Sequence, residues 1–400
     1  MANMLINSLH LKNILSFKDT KLDLQPLNVL IGPNGSGKSN LVDLIGLLKA
    51  VPNDIAEFLR SNGPTGDWIW KGSGWEETPF QLAEVEARFD NQGHPFGYEL
   101  ELVIRNDRVH SLNERLDLMA GDRKHAYANP FFQTSNESAR LWPARPDGTL
   151  ADHSDEPVQV DISRGKSVLS EIRDPADYPA LTETARVLSA IKVYRNWYVG
   201  RDSPVRRPQR TDGDPNFLEE DFGNLALVIN DLLGRRLEPS LDSHLKRFYE
   251  SYESLHARIF GNTVELIVNE TGMSGALPAS RLSDGTIRFI ALLAILCHPK
   301  PPPLICIEEP EIAMHPDSLD LVVELLLEAS QRTQLIVTTH SPWLIDRLSA
   351  EPDSVVVCER DRHPADGTQF KRFTRAELED WLEDQPLGEV WMAGAMGGVH

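Results

Sequence analysis

An α/β fold is predicted by three features of this 400-residue sequence. An apolar strand runs through a glycine-rich turn into a helix near the N-terminus. Apolar strands and helices alternate again over 263–373. Between them, polar and apolar residues alternate and then give way to helical periodicity. The first two features place helices against a mixed or parallel central sheet. The third adds an antiparallel β lobe and a helical lobe.

Composition narrows the class. Apolar residues make up 41% and charged residues 25%, close to an average folded protein, which excludes a disordered or fibrous chain. Forty Lys and Arg against sixty Asp and Glu leave a net charge of −20. That field repels polyphosphate over most of the surface, so nucleic acid contact requires a local basic patch. Cys297, Cys306 and Cys358 are widely spaced within apolar stretches and show neither disulfide nor metal-ligand spacing, which favours a reducing cytoplasm. The longest apolar run, 289–297, is about half of a membrane span and reads as a buried helix. No secretory signal is expected, nor a membrane partner.

The elements follow in order. Strand-like alternation around Met4, Leu9 and Leu11, then Leu22 and Leu24, leads to the run Leu27-Asn28-Val29-Leu30-Ile31. After the glycine turn, Leu41, Val42, Ile45, Leu48 and Val51 recur at helical spacing. Residues 52–79 read as loop, and 80–90 and 97–119 as the antiparallel lobe. The polar stretch 120–166 loses all periodicity and reads as an irregular insertion. Helical spacing returns at 168–172, 180–191, 224–233 and 241–260. A short strand at 263–269 precedes the helix 282–297, the strand 304–307, the helix 318–331 and the strand 334–339; closing strands follow over 354–373. The expected partition is 1–119 for the glycine turn and β lobe, 120–166 for the insertion, 167–262 for the helical lobe, 263–373 for the second α/β part, and 374–400 for an acidic tail. In that tail, 375–389 carries six acids and one Arg and reads as a solvated helix face.

Four motifs carry chemistry. Gly32-Pro33-Asn34-Gly35-Ser36-Gly37-Lys38-Ser39, followed by Asn40, satisfies G-x-x-x-x-G-K-[ST] between a strand and a helix. Glycines let backbone N–H groups turn inward round a phosphate, Lys38 reaches the outer phosphates, and Ser39 offers a hydroxyl to Mg²⁺. The strand Leu304-Ile305-Cys306-Ile307 ends in Glu308-Glu309-Pro310; one acid there can hold a magnesium shell while its neighbour polarises a water. His340, in Thr338-Thr339-His340-Ser341, ends the next strand, where an imidazole can hydrogen-bond a γ-phosphate. Leu282-Ser283-Asp284-Gly285-Thr286 opens a long apolar helix, so Ser283 and the adjoining N–H groups offer an anion site.

The order of these motifs resembles the ATP-binding-cassette superfamily, in its RecF, SMC and OLD-like branch. The opening residues Leu9 to Phe17, the run Glu308-Glu309-Pro310-Glu311 with His315-Pro316, and a cap spelled LSDGT carry the likeness. It extends over about 1–50 and 265–345, and the ending Leu387-Gly388-Glu389-Val390-Trp391 resembles stand-alone bacterial ATPases of this type. The resemblance implies ATP and Mg²⁺ as cofactors, with Glu308 as the magnesium-side acid (usually Asp), Glu309 as catalytic base and His340 as switch histidine. It implies that Ser283 and Gly285 contact ATP on an opposing subunit, that 311–316 is a D-loop, and that the chain is an ATPase working as a homodimer or higher oligomer.

Gln209 lies where a glutamine loop is conceivable, although an exposed loop is the simpler reading. Arg201 to Arg210 holds four Arg and one Asp and suits either DNA phosphate or an acidic partner. Trp68, Trp70, Trp75 and Trp142 suit packing or base stacking. OLD-like nucleases continue into a Toprim domain, whereas sixty residues follow His340 here, so a nuclease effector would be a separate chain. The expected function is an ATP-driven clamp serving DNA repair or phage defence; the competing one is a nucleotide-gated binding module with negligible hydrolysis.

Overall fold

The computed structural model describes residues 6–72, 81–91, 94–118, 130–135, 137–143, 156–235, 240–360 and 367–397. A six-stranded sheet forms the centre, ordered Lys192–Tyr194, Leu304–Glu308, Gln334–Thr338, Leu27–Ile31, Val355–Arg360 and Thr368–Arg372. The first five strands run parallel and the last pairs antiparallel. Their near-continuous apolar runs fit strands covered on both faces. Alternation divides the side chains between two cores. Val29, Ile31, Ile305, Ile307, Leu335 and Val337 enter one. Leu30, Leu304, Cys306, Ile336, Val356 and Cys358 enter the other.

The first core takes up the helices Asp284–Leu296 and Leu319–Ser330. Every residue from Gly285 to Leu296 is buried, which accounts for the long apolar run. Among the described residues no helix is long and apolar enough to cross a membrane. The second core fills the space between the central sheet and an eight-stranded antiparallel sheet, with the helix Lys38–Ala50 inside it.

Three sequence expectations are corrected. Part of the stretch expected to be irregular supplies the strands Phe132–Ser135, Ser138–Leu141 and Val158–Asp161, which extend the antiparallel sheet. Four-residue strands are too short to show periodicity, and main-chain pairing to an open sheet edge recruits them. Residues 120–129, 136 and 144–155 of that stretch lie outside the described residues. The expected helix over 241–260 stops at Phe248; Tyr252–Phe260 is a strand paired to Thr263–Glu270 through Gly261-Asn262. A two-residue Gly-Asn link is a hairpin signal, and the partner strand outweighs helical spacing. The acidic tail is more than a solvated face: Leu387, Val390 and Trp391 are buried in the first core, and their helix packs on Pro342–Asp346 just after His340.

Candidate functional site

Four parallel strands end at one edge of the central sheet, and each delivers a segment to one cleft of about 430 Å³. In open α/β sheets the carboxyl ends of the strands are where ligands sit. From Leu27–Ile31 comes the glycine loop. Gly32 has φ +144°, and a Cβ there would lie 2.1 Å from the Cys358 carbonyl oxygen, so only glycine fits. Thr368 Oγ1 donates to the Ser36 carbonyl at 2.8 Å and fixes the loop from below. No side chain caps the helix that follows, leaving its first N–H groups for an anion. Lys38 is buried, and its Nζ donates to the Gly32 and Pro33 carbonyls at 2.7 and 3.1 Å. Burial holds its pKa below the usual lysine value.

The strand Leu304–Glu308 brings the two acids. Glu308 accepts a hydrogen bond from Ser39 and lies 3.4 Å from Arg195 Nε; burial nevertheless raises its pKa. Glu309 sits at φ +47°, an uncommon backbone conformation for a residue with a side chain, and its N–H donates to the Thr338 carbonyl at 2.9 Å. The strand Gln334–Thr338 brings His340, whose Nε2 is 3.7 Å from Glu309 Oε1 and whose pKa burial lowers. Behind it Glu311 accepts from Thr339 Oγ1 and, at 3.4 Å, from the His340 N–H; burial raises its pKa. Thus Asn34 to Asn40, Glu308, Glu309 and His340, far apart in sequence, line one cleft.

The fourth strand, Lys192–Tyr194, contributes what sequence reasoning missed. Arg195, Asn196 and Trp197 line the cleft, as does Arg288 from the second turn of the buried helix. Arg195 also pairs with Asp43, and Trp197 Nε1 donates to the Glu308 carbonyl at 2.6 Å. A three-residue strand gives no periodic signal. The only available hint for Arg288 was a cation inside an otherwise apolar helix.

The donors and acceptors around the cleft suit a magnesium-bound polyphosphate. Ser36 Oγ, Arg195 Nε, Arg288 Nε and Nη1, and Glu308 Oε1 are all buried without a hydrogen-bond partner. Buried polar groups normally find partners, and each one left alone costs about 1–3 kcal/mol. Arginine N–H groups without a hydrogen-bond partner, in the same cleft as the glycine loop, match phosphate oxygens, and an unpaired carboxylate oxygen beside Ser39 matches a hard cation.

Ser283 and Gly285 are not among the residues lining this cleft. Ser283 is exposed; its Oγ accepts from the Thr286 N–H at 3.0 Å as an N-cap. Gly285 is buried, and a Cβ there would lie 2.4 Å from the Ala313 carbonyl oxygen, so the backbone at Ala313 packs directly on it. Gln209 is neither an exposed loop residue nor part of the cleft. It is buried, donates to the Phe222 carbonyl at 3.1 Å and accepts from the Ala226 N–H at 2.7 Å. The expected basic loop is also corrected at Arg206, which is buried and bonded to the Val199, Ala279 and Leu282 carbonyls and to Asp284. Arg207 and Arg210 are exposed and pair with Asp202 and Asp212. Trp68 and Trp70 are buried, which excludes base stacking for them; Trp75 lies outside the described residues.

This fold and this arrangement of strand ends define an ATP-binding-cassette ATPase head of the RecF/SMC-like branch. Within that class the chain belongs to the family described as "AAA domain, putative AbiEii toxin, Type IV TA system", which matches residues 27–346. Over 107 residues it is 38% identical to the chromosome partition protein Smc of Desulfitobacterium hafniense (strain Y51), covering 26% of this chain and 9% of that protein. Over 105 residues it is 39% identical to the Smc of Methanococcus voltae, covering 26% and 8%. The similarity therefore spans less than a tenth of those relatives' length. Among solved structures, the SMC head bound to the C-winged helix domain of ScpA superposes with a TM-score of 0.58 at 16% identity, over 93% of this chain and 99% of that one. The Pyrococcus furiosus SMC head with an extended coiled coil, bound to the C-terminal domain of ScpA, gives 0.53 at 14% identity, over 95% and 99%.

Proposed function

We propose that the chain binds ATP with Mg²⁺ in this cleft, hydrolyses it, and works as a clamp that closes on two nucleotides between two copies. The observation that carries the reading is the set of buried, unpartnered cationic donors and carboxylate oxygen gathered around the glycine loop. The loop residues Gly32 to Asn40 cradle phosphate through backbone N–H groups, and Lys38 exchanges its two carbonyl partners for outer phosphate oxygens. Ser39 and Glu308 would hold the metal, whose bound charge neutralises phosphate oxygens. Glu309 orients the attacking water and takes its proton, while His340, beside it, donates to the terminal phosphate. Ser283 faces the nucleotide of the second copy. Gly285 allows the D-loop to lie against the base of that cap.

The proposed client is a separate effector, a nuclease or Toprim-like protein, controlled in phage defence or DNA repair in the cytoplasm. The AbiEii wording of the family description supports the defence side, and ScpA bound to SMC heads supports a head of this fold carrying a protein partner. For DNA, the exposed Arg201, Arg207 and Arg210 remain available. The proposed partition keeps 374–400 as a C-terminal segment but joins 120–166 to the β lobe, whose sheet its strands extend, and moves the boundary at 262/263 out of the hairpin formed by Tyr252–Phe260 and Thr263–Glu270.

Glu309→Gln tests the mechanism. The amide keeps the shape of the carboxylate but cannot take a proton, so ATP binding persists and turnover is lost. Light scattering with ATP and Mg²⁺ should then show an accumulated dimer. Wild-type turnover no higher than that of Glu309→Gln would instead favour a nucleotide-gated module without hydrolysis. A variant that stays monomeric at micromolar concentration with ATP bound would refute the clamp.

A further inference from the structure

Two arginines line the cleft outside the motifs: Arg195, which pairs with Asp43 and lies 3.4 Å from Glu308, and Arg288. The Arg288 side chain is 6% exposed, yet both Nε and Nη1 lack a hydrogen-bond partner. Among the described residues it forms no ion pair either. What holds it is a stack. The guanidinium lies 5.1 Å from the Trp197 ring centre, and Trp197 stacks on Phe222 at 5.3 Å, which stacks on Tyr194 at 5.9 Å. A cation–π contact satisfies the face of a guanidinium and leaves its in-plane N–H groups open. The charged groups that act on it most are Asp284, Glu311 and Glu309. Two of these three lie on the acidic segment at the end of the cleft where Glu309 and His340 meet.

We infer that Arg288 binds the terminal phosphate of a nucleotide held by the glycine loop of the same chain, with Trp197 as the platform that presents its fork. This rests on the nucleotide reading above and extends it to a residue outside the four motifs. The geometry selects the terminal phosphate: Lys38 reaches the outer phosphates from the loop side, and Arg288 stands on the side of the acid that would activate water. A planar fork with two open N–H donors suits two phosphate oxygens, and such charge-assisted bonds are strong when desolvated. Because Arg288 belongs to the helix that Ser283 caps, occupation of one chain's cleft would pull directly on the element that chain offers to its partner.

The test is equilibrium binding of a slowly hydrolysed ATP analogue and of ADP, each with Mg²⁺, to the full chain and to Arg288→Met, Arg288→Lys and Lys38→Ala, with circular dichroism to verify folding. Arg288→Met should weaken triphosphate binding by about tenfold or more, and change ADP binding by less than about threefold. Arg288→Lys keeps the charge without the fork and should fall in between; if Arg288→Met does not fold, the triphosphate-to-diphosphate ratio of Arg288→Lys carries the test. An unchanged ratio in a folded variant, or an equal loss for both nucleotides, overturns the inference while leaving the nucleotide site standing. Failure of the wild-type chain to bind either nucleotide in a Lys38-dependent way would overturn the site itself.

Discussion

Replacing Arg206 by Met should destabilise the chain more than replacing any other arginine in 201–210. Its guanidinium is buried and donates to the Val199 carbonyl at 2.6 Å, the Leu282 carbonyl at 2.7 Å and the Ala279 carbonyl at 3.1 Å, with a further bond to Asp284. The Ala279 and Leu282 carbonyls belong to the turn Ala279–Arg281 and its C-cap, and that of Val199 to the 199–206 loop, so one side chain ties that loop to the segment that ends in Ser283. Methionine retains most of the aliphatic volume, which isolates the polar loss. Each charge-assisted bond to a buried carbonyl is worth about 1.5–3 kcal/mol, but three from one guanidinium do not add. Breaking a buried charge network usually costs about 3–5 kcal/mol, and that is the expected range. Asp284 is 58% exposed, so its share is small. Urea unfolding followed by circular dichroism measures the change, with Arg207→Met and Arg210→Met as controls. These side chains are 65% and 78% exposed and should leave the midpoint where it was. An Arg206→Met midpoint equal to the controls would refute the reasoning and return Arg206 to the pool of arginines free to meet DNA.

Three other outcomes follow from the same structure. Lys38→Ala should abolish tight nucleotide binding; because Lys38 is buried and holds two loop carbonyls, the melting temperature should also fall slightly, unlike a change on an open surface. Mixing a Ser283→Arg chain with a Lys38→Ala chain should restore part of the ATPase activity above the sum of the two parents, because one composite site keeps an intact loop and an intact cap; no recovery in demonstrated heterodimers refutes a shared site. Glu114 is buried, with its carboxylate bonded to Tyr98 Oη, Ser167 Oγ and the Val168 N–H, and burial raises its pKa above the ordinary value. The folded state then binds this proton more tightly than the unfolded one, so this group's contribution to stability is fully present below the ordinary carboxylate pKa and is lost as pH rises through the raised value. Stability against pH should be flatter for Glu114→Gln over that interval, and identical slopes would refute the assignment.

How much of this was legible in the sequence depends on what each element relies on. The strand, glycine loop and helix from Leu27 to Ala50 announce themselves because apolar period, turn glycines and phosphate chemistry all agree locally. The acid pair and His340 were legible for the same reason, each ending an uninterrupted apolar strand. The strand Val158–Asp161 and its two predecessors were not, since pairing with a neighbour far along the chain makes them strands. The tail misled because its charge, spread over 375–389, hides the apolar residues that dock it, Leu378, Leu387, Val390, Trp391 and Met396. The arginine loop misled because charge counts say nothing of burial: Arg206 is solvated by backbone carbonyls from a segment more than seventy residues away.

The least legible part of the site is also the part that links its two halves. The glycine loop, Glu308 and His340 hang on strands of one rigid sheet, whereas Ser283 caps a helix lying in the first core on one face of that sheet. Beside the shared apolar core, the contacts that reach the two halves of the site include Ala313 on Gly285, Arg206 on the turn before Ser283, and Arg288 on Trp197. Trp197 is held in turn by the Glu308 carbonyl. A cap fixed only to its own helix could not respond to the nucleotide in its own chain's cleft. A cap tied through Trp197 to the strand that carries the acids would follow any displacement of those strand ends in the proposed clamp, because a close-packed interior transmits displacement. In the two-copy clamp proposed above, coupling of the two composite sites is therefore expected to weaken when the Arg288 to Trp197 contact is lost, even with every motif residue in place.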